Sequence, residues 1–269
     1  IFSLFLIGLL SDTNKLSSVS KRFLLQILII IFFIFVNNSF IPEIKIIFFD
    51  NLLNKYKIIS YIFTSFCLLI LLNGSNFIDG VNIQCSGYYF AIICALLLLP
   101  KSLFNLDLYN QLLIIFAFLL VFIFFNFFDQ CYLGDSGSYL VSFLVGTLLI
   151  KVINENPISP YFIALLLWYP AFENLFSIIR RLVFNKKSID NADNQHLHHL
   201  LYRSFKNKSN LFKKNITGVM INLYNFIIFL IGINYLYDSY VQVILILISI
   251  IFYSLTYKIL KNNLSNEIR

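Results

Sequence analysis

The chain has 269 residues, of which 59% are hydrophobic and 12% are charged. Soluble domains average about 45–50% apolar and about 25% charged residues, so this composition excludes a soluble globular domain. Its hydrophobic mass also excludes a disordered chain. The net charge of +7 does not indicate a nucleic-acid-binding protein, because the basic residues cluster in short segments between apolar runs. We therefore predict an all-α polytopic integral membrane protein.

The apolar runs predict about nine transmembrane helices, since a helix needs about 20 mostly apolar residues to cross a bilayer. The first run, residues 1–10, is short and begins without Met, so we interpret it as the end of a helix in an N-terminally truncated chain. A further stretch, 41–57, contains Pro42 and several β-branched residues, which favour a short external hairpin. The other predicted spans are 23–36, 58–72, 88–99, 112–128, 139–153, 161–184, 219–235 and 241–257.

The basic residues indicate which way the chain crosses the membrane. When the loops are assigned alternately to two sides, one side holds 15 of the 20 Lys and Arg residues. Loops rich in Lys and Arg stay in the cytoplasm, so this side is predicted to be cytoplasmic. We expect a single membrane domain over residues 1–269, in which residues 185–217 form a basic cytoplasmic loop.

The conspicuous polar clusters all fall in the predicted cytoplasmic loops, which suggests one composite site. Carboxylates from separate loops suit Mg²⁺, which typically takes one or two carboxylates together with substrate phosphates. Gly134 and Gly137 allow backbone N–H groups to approach phosphate at a helix N-terminus. The combination indicates metal-assisted phosphoryl transfer. The residues of these clusters are Asp12, Asn76, Asp79, Asn82, Asn126, Asp135, Asp190, Asp193, His196, His198 and His199.

Each cluster taken alone has a simpler interpretation. Asp79-Gly80 is also an ordinary turn sequence, and Asp12 is also suited to capping a helix N-terminus. The three histidines could bind structural zinc, but no cysteine accompanies them and their loop is basic, which disfavours zinc.

Taken in order, the clusters resemble the motifs of the polyprenyl-phosphate N-acetylhexosamine-1-phosphate transferases, glycosyltransferase family 4, which include the phospho-MurNAc-pentapeptide transferase. Asn76-Phe-Ile-Asp79-Gly80-Val-Asn82 resembles the N-x-x-D-G-x-D/N-G-L loop, and Leu133-Gly-Asp-Ser-Gly-Ser138 resembles the G-D-x-G-S loop. Pro170-Ala-Phe-Glu173, then Arg180-Arg181, then Ala192-Asp-Asn-Gln-His-Leu-His-His199 resembles P-x-x-D…R-R…A-D-x-x-H-x-H-H. The resemblance runs from about Gly8 to Leu201.

The resemblance implies a Mg²⁺-dependent enzyme, with Mn²⁺ as a substitute, at the cytoplasmic face of the bacterial inner membrane. It implies transfer of an N-acetylhexosamine-1-phosphate from a UDP-sugar to undecaprenyl phosphate, releasing UMP and initiating cell-envelope polysaccharide synthesis. Its partners would be these two substrates and membrane lipids, and relatives suggest a homodimer.

The resemblance also assigns roles to individual residues. Asp135 matches the metal-binding aspartate, and Asp12 matches the second aspartate of a paired D-D motif, which is proposed as a base. The catalytic positions are thus Asp12, Asp79 and Asp135, and the substrate-binding positions are Asn76, Asn82, Asn126, His196, His198 and His199.

Three residues depart from the family pattern. Ser11 stands in place of the first aspartate of D-D, Ile83 in place of a loop glycine, and Glu173 in place of an aspartate. An alternative is therefore a catalytically impaired relative that binds nucleotide-sugar or lipid carrier without turnover. A membrane transporter is disfavoured, because we expect Asp and Glu in loops or near span ends rather than at mid-membrane.

Overall fold

In residues 2–185 and 195–266, which the computed structural model describes, the chain forms eleven α-helices and no strand. A 3₁₀ turn (Lys101–Leu103) precedes α6, and a π-helix (Arg180–Asn185) continues α8. The helices are α1 (Phe2–Asp12), α2 (Val19–Asn37), α3 (Ile47–Lys55), α4 (Lys57–Ile78), α5 (Gln84–Leu97), α6 (Leu106–Phe127), α7 (Gly134–Glu155), α8 (Pro160–Ile179), α9 (Leu197–Ser204), α10 (Asn210–Ile233) and α11 (Ser239–Asn266).

Seven of these helices are long and apolar enough to cross a membrane, and α1 and α5 are shorter apolar helices. The predicted all-α polytopic membrane fold is therefore confirmed. Helices α2 and α6 expose most of their surface, whereas α7 is largely buried. Large exposed side chains such as Phe32 and Phe124 suit contact with lipid tails, which replace water as the surrounding medium.

The predicted external hairpin at 41–57 is wrong, because this stretch forms helix α3. The Asp50 carboxylate accepts a hydrogen bond from the Ile44 N–H at 2.7 Å just before the helix, and Leu53 is buried where α3 packs against α4. The β-branched residues 44, 46 and 47 favour a strand only weakly. Packing contacts of this kind readily override β-propensity.

The basic segment 185–217 contains helix α9 and the beginning of α10. The Ser209 hydroxyl caps α10 by accepting a hydrogen bond from the Phe212 N–H, which is the usual role of a serine at this position. Lys186, Lys187, Asp190 and Asp193 lie outside the described residues.

Packing around α7 and α8 brings the motif-bearing ends of the helices together. Helix α7 packs against α1, α4 and α5, and α8 packs against α4, α10 and α11. Helix α9 packs against α10 and α11. The end of α1, the end of α4, the beginning of α7 and the beginning of α9 are thereby placed at one end of the bundle.

Candidate functional site

Asp12, the last residue of α1, caps the N-terminus of α7. Its Oδ1 accepts a hydrogen bond from the Asp135 N–H at 2.9 Å, and its Oδ2 accepts one from the Ser136 N–H at 3.1 Å. The preceding Gly134 has φ +63° and lies against this carboxylate, a backbone conformation in which glycine avoids the strain of a Cβ. A helix N-terminus favours a negative charge. Asp12 therefore joins α1 to α7 and holds the beginning of the G-D-x-G-S loop in position.

The Asp135 carboxylate contacts both Ser11 and Arg22. Its Oδ2 accepts a hydrogen bond from the Ser11 hydroxyl at 2.5 Å and forms an ion pair with the Arg22 guanidinium at 2.5 Å. The Arg22 guanidinium also donates to the Ser11 hydroxyl. Both contacts of the Asp135 carboxylate use Oδ2, and Oδ1 takes part in neither of them.

Asp79 follows α4 and lies close to the same carboxylates. Burial raises the pKa of its carboxyl to about 7, and a backbone hydrogen bond from Gly134 partly opposes this rise. The negative charges of Asp135 and Asp12 raise the pKa of Asp79 further. Asp79 therefore lies close enough to Asp135 and Asp12, at the beginning of α7, to be repelled by both carboxylates.

The three histidines form a compact group at the beginning of α9. The rings of His196 and His198 stack with an interplanar angle of 4° and centroids 5.6 Å apart, and the His199 ring lies 4.1 Å from His198. On its other side, His196 packs against Phe77 of α4 at 5.5 Å. The Arg181 guanidinium lies 5.6 Å from the centroid of the same phenylalanine ring.

His198 joins this histidine group to the Asp79 loop. Its ring is fully buried and lies so close to Gly80 that a Cβ there would be 1.9 Å from Nε2. Within the described part of the chain, neither ring nitrogen of His198 has a hydrogen-bond partner. Burial lowers the pKa of His198 well below its usual value, and His199 and His196 lower it further. Burial therefore favours the neutral form of the ring, whose two unpartnered nitrogens are enclosed by the protein.

Glu173 lies inside α8 and is fully buried, although we expected the acidic residues in loops or near span ends. Its Oε1 lies 2.8 Å from His196 Nδ1, and its Oε2 accepts a hydrogen bond from the Tyr253 hydroxyl at 2.6 Å. The buried carboxylate is therefore part of the histidine group, not an isolated charge along a transport path.

Two of the predicted substrate-binding asparagines, Asn126 and Asn82, form hydrogen bonds to other parts of the protein. Asn126 is buried; its side-chain oxygen accepts from the Ile83 N–H at 2.5 Å, and its amide donates to the Cys131 carbonyl at 2.7 Å. Buried Asn82 donates to Asp129 at 2.9 Å and to Asn215 at 3.2 Å.

Asn76 has a different environment from these two. It lies half-buried on α4 and donates to the Tyr139 hydroxyl at 3.4 Å.

Arg22 and Tyr253 belong to the site but were not predicted from the sequence. Arg22 was counted only as one of the basic residues that determine topology. Tyr253 lies in the apolar helix α11, where nothing in the sequence distinguishes it from the other aromatic residues.

Comparison with known proteins agrees with the motifs. The chain is 25% identical over 207 residues to the "probable undecaprenyl-phosphate N-acetylglucosaminyl 1-phosphate transferase" of Bacillus subtilis (strain 168). The match covers 74% of this chain and 56% of that protein, so the chain spans a little over half the length of this relative. The sequence model described as "Glycosyl transferase family 4" matches residues 1–153, more than half of the chain. The chain therefore belongs to glycosyl transferase family 4, as its motifs predicted.

Proposed function

We propose that the protein transfers an N-acetylhexosamine-1-phosphate from a UDP-sugar to undecaprenyl phosphate, releasing UMP. The product, a sugar linked to the lipid by a diphosphate, would begin the synthesis of a cell-envelope polysaccharide. The family and the name of the Bacillus relative support this reaction class. The observation that carries the proposal is the convergence of Asp12, Asp79 and Asp135 with the histidine group at one end of the helix bundle.

The donor set at the beginning of α7 fits a divalent cation that is shared with phosphate. Among the described residues, no group of three His, Cys, Asp or Glu side chains could hold a metal by itself. Mg²⁺, however, usually binds one or two carboxylates and completes its coordination with substrate phosphates and water. Asp135, through its Oδ1, and the nearby Asp79 would hold the ion. When bound, Mg²⁺ would neutralise charge on the diphosphate.

The chemistry requires one phosphorus–oxygen bond to form and one to break. An oxygen of the lipid phosphate attacks the β-phosphorus of the UDP-sugar. The bond from this phosphorus to the bridging oxygen breaks, and its electron pair leaves with UMP. Since the second pKa of a phosphate ester lies near 6, the lipid phosphate is already ionised at pH 7 and needs no base.

The residues of the chain then serve mainly to position the reactants and neutralise their charge. Both oxygens of Asp12 accept backbone N–H groups, so we assign Asp12 to positioning Asp135, not to removing a proton. His196 would contact the diphosphate, and the fully buried His198, which stacks on it, would support its ring. We assign Asn76 to contact with the nucleotide, as the resemblance to the family implies.

The distribution of charge supports a cytoplasmic site in the bacterial inner membrane. The end of the bundle that holds Asp12, Asp79, Asp135 and the histidine group is the one to which the sequence assigns most of its Lys and Arg residues. Such residues remain on the cytoplasmic side, which is where UDP-sugars are available.

A catalytically impaired relative is the second candidate, and the contacts of Asp135 favour it. Ser11 supplies no negative charge where the family has an aspartate, and the Arg22 guanidinium already pairs with Asp135. A protein of this kind would bind the nucleotide-sugar or the lipid carrier without turnover.

Measuring UMP release distinguishes these two candidates. The full-length protein in detergent would be incubated with undecaprenyl phosphate, Mg²⁺ and a panel of UDP-sugars, with an active relative as positive control. UMP formation that requires the lipid and stops with EDTA would establish the transferase and identify its sugar. If no donor yields UMP while the relative is active, the impaired-relative interpretation is favoured.

A further inference from the structure

Glu173 is a fully buried carboxylate whose two oxygens contact different helices. Isolated buried charges are costly, so a buried carboxylate is normally paired and hydrogen-bonded. Here Oε1 lies 2.8 Å from His196 Nδ1 at the beginning of α9, and Oε2 accepts from Tyr253 of α11 at 2.6 Å. Tyr253 is 1% exposed and His196 is 5% exposed. The three side chains form a buried hydrogen-bonded chain that joins α8, α9 and α11.

This arrangement determines which nitrogen of His196 carries a proton. When Glu173 is ionised, its oxygens only accept hydrogen bonds, and Nδ1 of His196 is then the donor. A neutral His196 then presents a bare Nε2, because the hydrogen bond of one ring nitrogen sets the state of the other. Stacking against His198 and packing against Phe77 restrict the tilt of the ring, and the bond to Glu173 restricts its rotation.

Tyr253 in turn fixes Glu173. Without the tyrosine hydroxyl, the carboxylate would keep one hydrogen bond and could rotate about it. Where a histidine binds a metal, hydrogen-bonded partners of this kind orient its ring, and removing them typically reduces metal affinity or activity by about 10–100-fold; we take this range as the guide for His196.

We propose that Tyr253 is a positioning residue of the active site, which acts through Glu173 to hold His196 in its Nδ1–H tautomer and in one orientation. The relevance of this role to catalysis rests on the proposed function, in which His196 contacts the diphosphate. Tyr253 lies beyond residues 1–153, the stretch that the family model matches, so the motifs give no reason to single it out.

Selective ¹⁵N labelling of histidine tests the proposal without an activity assay. The chain contains three histidines, so ring-nitrogen NMR in detergent at pH 8 gives three pairs of signals. The signals of His196 are those missing from a His196→Gln variant. The proposal expects a protonated Nδ1 and a bare Nε2 at His196 in the wild-type protein. A wild-type His196 protonated on Nε2 would overturn it, whether or not any variant folds.

Two variants and a matched control test the role of Tyr253. Tyr253→Phe removes only the hydroxyl and is expected to shift the His196 ring signals towards a mixture of tautomers. Glu173→Gln is expected to shift them further. Tyr88→Phe removes another buried hydroxyl, which donates to the Leu166 carbonyl at 2.8 Å, and should leave the His196 signals unchanged. Wild-type signals in Tyr253→Phe would contradict the proposal.

Activity adds a second readout if the protein releases UMP. For Tyr253→Phe, kcat/KM for the UDP-sugar should fall on the order of 10-fold, and for Tyr88→Phe it should stay near the wild-type value. If the wild-type protein releases no UMP, the proposed function fails, while the tautomer measurement still decides whether Tyr253 and Glu173 hold His196. An unchanged kcat/KM in an active Tyr253→Phe enzyme would rule out the positioning role.

Discussion

Replacing Gly80 by alanine should disable the site more than it destabilises the fold. The added Cβ would lie 1.9 Å from His198 Nε2, 2.6 Å from Cδ2 and 2.9 Å from Cε1. Ordinary carbon contacts begin at 3.4 Å, so the ring must retreat by about 1.5 Å, the difference between 3.4 and 1.9 Å. The ring is fully buried, and overpacking of this kind costs about 1–3 kcal/mol.

These values give expected sizes for two measurements. For a chain of this length each kcal/mol shifts the Tm by about 2–4 °C, so Gly80→Ala should lower the Tm by about 5 °C. A misplacement of about 1 Å at a catalytic centre costs roughly 10²-fold in rate, so kcat/KM for UMP release should fall at least about 100-fold. Thermal unfolding in detergent and the UMP assay measure these effects separately.

Gly232→Ala is the matched control for this variant. A Cβ at Gly232 would lie 2.5 Å from Leu165 Cδ2, the end of a flexible side chain outside the candidate site. This variant should also lose stability but should retain nearly normal kcat/KM. In a Gly80→Ala/His198→Ala double variant the ring is absent, so the alanine at position 80 should cost no further stability, a clear failure of additivity. Wild-type Tm and activity in Gly80→Ala would refute the placement of His198 against Gly80.

Three further predictions concern the carboxylates at the beginning of α7. Asp135→Asn should abolish UMP release while the Tm falls by only a few degrees, because a partly exposed ion pair contributes about 0–1 kcal/mol; near-normal activity would exclude Asp135 as the metal ligand. Ser11→Asp adds a carboxylate beside Arg22, so it should leave activity unchanged or raise it. It should also tighten Mn²⁺ binding, measured by electron paramagnetic resonance. A large loss of activity would show that the D-D motif is misaligned. Asp79→Asn in EDTA should raise the Tm at pH 8 and have a smaller effect at pH 5. The pKa of Asp79 is raised from 3.8 to about 7, so its ionisation destabilises the fold increasingly across that range; a Tm difference independent of pH would contradict the assignment.

The membrane-spanning helices could be predicted because the bilayer imposes a length and a composition on each of them. The same rule says nothing about a helix that is too short to span the bilayer, such as the nine-residue α3. Helix α3 was therefore missed: it is supported by the hydrogen bond from the Ile44 N–H to Asp50 and by burial of Leu53, and neither contact is evident in the sequence.

The candidate site could be predicted where its residues lie in motifs at loop ends, as with Asp12, Asp79, Asp135 and the histidines. Tyr253 could not be found in this way. Helix α11 is apolar on nearly all sides, so no periodic pattern shows which face of it meets Glu173. The rotation of such a helix about its axis is set by packing with its neighbours, which only the three-dimensional structure reveals.

Ile83 illustrates how the loop after Asp79 keeps its shape without the expected glycine. Its φ of +67° costs a side chain with a Cβ about 1–2 kcal/mol. Against this, the Ile83 side chain is 8% exposed, and burying an isoleucine contributes about 1.5–3 kcal/mol. Its N–H donates to Asn126 and its carbonyl accepts from Asn222. Burial and hydrogen bonding thus offset the strain, so the case for an impaired relative rests on Ser11 and on the Arg22–Asp135 ion pair, not on this loop.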